Sequence, residues 1–108
     1  MAGVAEGNTA TVTQTGTLNV ALVGQQGERN TSSISQSGEW HEAIAETEGQ
    51  NNTVSVQQQD DWHIVQIQAQ GDNNQISSSQ TGFFNQATVV VSGDNNQVDF
   101  TQQGEENE

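Results

Sequence analysis

The sequence predicts an all-β fold. It is a two-sheet parallel β-solenoid of about 4.5 coils, with 22 residues per coil and two 11-residue strand–turn units in each. Three observations lead there. First, asparagine recurs every eleven residues: Asn8, Asn19, Asn30, Asn52, Asn74, Asn85, Asn96 and Asn107 keep the step, and His41 and His63 fill its two gaps. Second, glycine follows each anchor by eight residues at Gly16, Gly27, Gly38, Gly49, Gly71, Gly82, Gly93 and Gly104, with Asp60 the single exception. Third, apolar residues between those columns alternate with polar ones, the period of a half-buried strand and not of a helix.

Taken in order, each unit supplies a strand of about seven residues and a glycine-centred turn. Asn8 opens the first, with Ala10, Val12 and Gln14 on one face and Thr9, Thr11 and Thr13 on the other. The second runs from Asn19 through Ala21, Val23 and Gln25, and the third from Asn30 through Ser32, Ile34 and Gln36. His41 opens a fourth with Ala43, Ala45 and Thr47; Asn52 opens a fifth with Val54, Val56 and Gln58. His63 leads to Val65, Ile67 and Ala69, and Asn74 to Ile76, Ser78 and Gln80. Asn85 leads to Ala87, Val89 and Val91, and Asn96 to Val98, Phe100 and Gln102.

Sorting alternate units shows that the true repeat is 22 residues. The odd units carry glutamine six after the anchor without exception: Gln14, Gln36, Gln58, Gln80 and Gln102. The even units drift from Gln25 to Thr47, Ala69 and Val91. One family of turns holds Leu18, Trp40, Trp62 and Phe84; the other holds Arg29, Asn51, Asn73 and Asn95. The pentapeptide GDNNQ occurs at 71–75 and again at 93–97, one coil apart. Residues 22 apart are alike because they stack on one another. Odd strands then form one parallel sheet and even strands the other, around a thin core of Ala, Val and Ile. Buried amides are costly unless paired. Ladders of Asn8, Asn30, Asn52, Asn74 and Asn96, of Gln14 to Gln102, and of Asn19, Gln25 and Asn85 are expected to satisfy themselves, each amide donating to the next.

Composition narrows the function classes. Hydrophobic residues make up 30% and aromatics 5%, which alone would suggest disorder; the patterning overrules that. The net charge is −13, with fourteen acids against Arg29, so no basic surface exists for nucleic acid or anionic lipid. No apolar run reaches membrane-spanning length. There is no cysteine, hence no disulfide or thiolate metal site, and no proline to interrupt backbone pairing. The first residues, MAGVAEGN, lack the basic start and apolar stretch of a signal peptide. Residues 1–7 are expected to be a short disordered leader and 8–107 the repeat domain.

The spacing resembles the curlin repeat, approximately S/N-x5-Q-x-G-x2-N-x-A-x3-Q. Asn8, Gln14, Gly16, Asn19, Ala21 and Gln25 fit it; so do Asn30, Gln36, Gly38 and Ala43, with His41 in place of Asn, and Asn74, Gln80, Gly82, Asn85 and Ala87. The resemblance implies a secreted structural subunit that stacks end to end into cross-β, curli-like fibres of a bacterial biofilm matrix. It also implies a homopolymer, a nucleator subunit, a dedicated outer-membrane secretion pore, an extracellular location and no cofactor.

Candidate sites carry competing readings. His41 and His63, one coil apart near Glu42, Glu46 and Glu48, are weak metal candidates, because two imidazoles do not fill a zinc shell; the preferred reading is that each replaces a structural Asn. Trp40, Trp62 and Phe84 are read as a stabilising edge stack before a ligand platform. Asp60, Asp61, Asp72 and Asp94 are read as charges that slow premature association before calcium ligands. No catalytic arrangement is in prospect. Residues 8–27 and 73–93 hold no charged residue, which suits stacking ends. The alternative function is a soluble ice-binding or designed solenoid using the Thr/Ser face of Thr9, Thr11, Thr31, Ser33, Thr53 and Ser55. That face loses regularity at Gln75, Gln97 and Asp99. Val20, Leu22, Ile44 and Ile64 form an outer apolar patch expected to mediate lateral contacts.

Overall fold

The structure is a computed structural model and describes residues 2–3 and 7–106. The described chain is strands and turns only. The strands are β1 (Ala2–Gly3), β2 (Thr9–Thr17), β3 (Val20–Glu28), β4 (Thr31–Glu39), β5 (Glu42–Gln50), β6 (Thr53–Asp61), β7 (Ile64–Gln70), β8 (Gln75–Phe83), β9 (Gln86–Ser92) and β10 (Gln97–Glu105). They form two parallel sheets, in the orders β1-β3-β5-β7-β9 and β2-β4-β6-β8-β10. Every pairing joins residues 22 apart: Val12 lies against Ile34, Ile34 against Val56, Ala43 against Val65. The result is a parallel β-solenoid of about four turns.

The expected leader falls partly on residues 1 and 4–6, which lie outside the described residues. Ala2–Gly3 pairs with Gly24–Gln25, on the same 22-residue offset as the rest.

Most strands are nine residues long, two more than the spacing suggested, because pairing runs on through the turn glycine. Gly16 pairs with Gly38 and Gly82 with Gly104 inside the ladders. Gly16, Gly38 and Gly82 have φ between +109° and +125°, and an added Cβ would fall about 2 Å from the carbonyl oxygen of the coil below. Glycine takes that geometry without collision; Asp60, the exception in the column, turns at φ +77° instead. β7 and β9 stop at seven residues because Gly71-Asp72 and Gly93-Asp94 follow them. In those turns a carboxylate takes over a ladder bond: Asp72 Oδ1 accepts the Gln50 N–H at 2.9 Å, and Asp94 Oδ1 the Asp72 N–H at 3.0 Å. These acids are exposed, and they also clamp the turn above.

The core sits between the sheets. Val23, Ile34, Ala43, Ala45, Val54, Val56, Val65, Ile67, Ala69 and Ile76 are buried. The body is 11 Å across its thinnest direction, which leaves room for one interdigitated layer of small side chains. At the first coil this cover fails: the core-facing Val12 is 42% exposed, and Gln14 is exposed too.

Candidate functional site

The glutamine column is a continuous amide ladder. Gln14 Nε2 donates to Gln36 Oε1 at 2.8 Å, Gln36 to Gln58 at 2.9 Å, Gln58 to Gln80 at 3.1 Å, and Gln80 to Gln102 at 2.6 Å. Each lower amide also donates across the core to the first residue of the preceding strand, as Gln36 does to the Val20 carbonyl at 2.9 Å and Gln58 to that of Glu42 at 3.2 Å. Gln36, Gln58 and Gln80 are buried. The ladder has a direction, with N–H toward the C-terminal end and Oε1 toward the N-terminal end.

The asparagines do something different from the expected amide-to-amide chain. Asn30 Oδ1 accepts the backbone N–H of Asn52 at 3.0 Å, and Asn52 Oδ1 that of Asn74 at 2.9 Å. Their Nδ2 groups donate to carbonyls of the neighbouring turns, Asn30 to Gly49 at 3.0 Å and Asn52 to Gly71 at 2.8 Å. Asn8 and Asn74 act likewise toward Gly27 and Gly93, and Asn74 Oδ1 accepts from the Asn96 N–H. The shorter side chain lies at the corner, where strand pairing lapses, so it meets backbone groups before it can reach the next amide. Asparagine is thus a corner clamp, binding one coil's turn to the next.

The even units hold no ladder. Gln25 stacks on Thr47, and its Nε2 donates instead to the Thr9 carbonyl at 2.9 Å and to Ser32 Oγ at 3.1 Å. Thr47 Oγ1 is buried without a hydrogen-bond partner, as is Ser78 Oγ in the odd-unit strand β8. Asn19 and Asn85 are separated by the two histidines.

His41 and His63 reproduce the asparagine clamp with a ring. Their imidazoles stack at 5.0 Å and 7° and are buried. His41 Nδ1 lies 3.4 Å from the His63 N–H, and His63 Nδ1 3.4 Å from that of Asn85. His41 Nε2 meets the Ser37 carbonyl at 3.0 Å and His63 Nε2 that of Gln59 at 2.5 Å, the same four-residue step by which Asn30 meets Gln26. Both ring nitrogens are occupied, so neither imidazole presents a lone pair to a metal. Among the described residues, no group of three or more His, Cys, Asp or Glu gathers as a metal shell. Burial pushes the His63 imidazole below its ordinary value.

Outside this corner Trp40 and Trp62 stack at 4.9 Å and 6°, and Trp62 and Phe84 at 5.4 Å. Each ring covers the next, so the column shows mainly edges, a poor surface for stacking a sugar. Leu18, Trp40, Trp62 and Phe84 all have φ near +60°, where non-glycine residues are strained. Ring stacking offsets part of that cost.

The last chemistry lies at the two ends. β2 and β10 each pair on one side only and leave the other edge of their sheet open. The C-terminal edge is not charge-free: residues 73–93 are, but β10 beyond them carries Asp99 and ends in Glu105.

A family model described as curlin associated repeat matches residues 6–38, 27–59 and 71–107. The chain belongs to the curlin repeat family. Its repeats divide as the fold does, since the curlin glutamine of each odd strand builds the ladder and the curlin glycine closes the turn. Comparison with curated proteins and with solved structures gave no match. The signal that sequence reasoning passed over was the place of each asparagine at the opening of its unit, beside the turn, which sets it at a corner.

Proposed function

We propose that this curlin-repeat chain is a self-assembling structural subunit of an extracellular, curli-like amyloid fibre in a bacterial biofilm matrix. It grows by end-to-end stacking of coils. The observation that carries this reading is the pair of open ends. An unpaired parallel strand edge templates another strand. Here the edges of β2 and β10 have the same inward pattern, with Gln14 and Gln102 at matching positions. A second copy set on the first extends both the backbone pairing and the glutamine ladder: its Gln14 receives Gln102 of the copy before. Such head-to-tail contacts do not close and therefore give filaments. The family resemblance adds a nucleator subunit and a secretion pore as partners. The outer patch of Val20, Leu22, Ile44 and Ile64 serves lateral contacts between fibres.

The test is to refold the chain from denaturant, follow thioflavin fluorescence, and image the product. Fibres are expected, with strands about 4.8 Å apart along the fibre axis. A persistent monomer with β-rich circular dichroism would overturn the reading.

A further inference from the structure

Every clamp in the Asn8–Asn96 column is an amide, which gains no charge between pH 8 and pH 4. The opposite column is not all amide. Asn19 and Asn85 there enclose His41 and His63, and imidazole titrates near neutrality.

The bonds fix what one proton does. Each Nε2 faces a carbonyl oxygen, Ser37 or Gln59, and so carries the hydrogen. Each Nδ1 faces a backbone N–H of the next coil, His63 or Asn85, and so is the bare acceptor. A proton added to Nδ1 sets one donor against another and removes that bond. It also places charge inside a column where the rings are 1% and 0% exposed and 5.0 Å apart. An asparagine at either position would keep its Oδ1 acceptor at any of these pH values.

The charged surroundings do not rescue the charged form. Asp60 and Asp61 at the end of β6 favour it, and Glu39 of β4 and Glu42 of β5 flank His41 in the chain. β7 brings no ionisable group, and neither do β2, β3 up to Gly27, β8 or β9. Burial is the largest influence on His63 and lowers its proton affinity; the Gln59 carbonyl raises it, His41 lowers it, and Asp60 and Asp61 raise it, leaving a net lowering.

We propose that the His41–His63 stack is an acid-sensitive seam: protonation of the His63 ring releases the Asn85 amide and loosens the two stacked coils at this corner, while the asparagine corner opposite stays clamped. The seam is a property of the single chain and does not depend on fibre formation.

Amide hydrogen exchange on the full-length monomer tests this, because the molecule contains its own control. The Asn85 amide donates to the His63 ring, whereas those of Asn52 and Asn74 donate to Asn30 and Asn52 Oδ1. Between pH 7.5 and pH 5.0, the protection factor of Asn85 is expected to fall at least tenfold further than those of Asn52 and Asn74. In the double variant His41→Asn, His63→Asn the difference is expected to shrink below twofold. A constant ratio between Asn85 and that pair across that range overturns the proposal, and so does a double variant with the wild-type pH response. If the double variant does not fold, the wild-type comparison decides alone.

Discussion

Asp60 occupies a turn position otherwise held by glycine, with φ +77° where Gly38 has +125° and Gly82 +114°. Its Cβ bars it from the glycine geometry, and the left-handed region costs an L-residue of this kind about 1 kcal/mol. Asp60→Gly should therefore raise stability by about 1 kcal/mol, read as a higher urea midpoint. Gly49→Ala should do the reverse. Its new Cβ would meet the Gly71 carbonyl oxygen at φ +122°, and backbone strain alone costs about 1–3 kcal/mol there. A midpoint unchanged by Gly49→Ala would mean that the turn relaxes freely. His63 adds a pH term of known sign. The unfolded chain takes up its proton near pH 6.5, and the folded chain only at lower pH because of burial. Between those values the unfolded state holds more protons, so stability falls as pH drops through this window and levels off below it. The urea midpoint measured from pH 7.5 downward should show that decline, and His63→Asn should lessen it.

At the level of the strand, alternation decides which residues face the core, and parity decides what they do there. The odd strands align glutamine on glutamine and gain a ladder; the even strands align Gln25, Thr47, Ala69 and Val91 and rely on packing. Gln58→Leu tests the difference. It removes the acceptor of Gln36 Nε2 and the donor to Gln80 Oε1, both buried. Each stranded group costs about 1–3 kcal/mol, so the central coils should lose stability by at least that much. Thr47→Val replaces a hydroxyl that has no partner and should be neutral or stabilising. Equal losses for the two variants, by thermal or urea unfolding, would show that the ladder carries no special weight. The ladder was legible in the sequence because its spacing never varies. The asparagine clamp was not, because the period gives the column but not whether a short side chain finds an amide or a backbone group.

For the whole molecule, the balance is between templating ends and like charge. Stacked subunits of net charge −13 repel one another, and salt screens that repulsion. On the proposed function, raising ionic strength from about 0.01 M to 0.15 M, which shortens the screening length from about 30 Å to 8 Å, should shorten the lag of fibre growth severalfold. Salt-independent kinetics, followed by thioflavin fluorescence, would rule out charge as the brake.

The sequence by itself determined the architecture of this protein: two interleaved columns at a spacing of eleven, with alternation between them, admit one stacking arrangement and one 22-residue register. It also determined which positions turn, since glycine best tolerates the approach of the next coil's carbonyl. Only the tertiary structure decided how the corners are tied, that Asn19 and Gln25 belong to no amide chain, that the histidines use both ring nitrogens, and that Val12 lies bare at an open end. Those outcomes depend on distances of a few tenths of an ångström between groups far apart in the chain, and a one-dimensional period carries no such information.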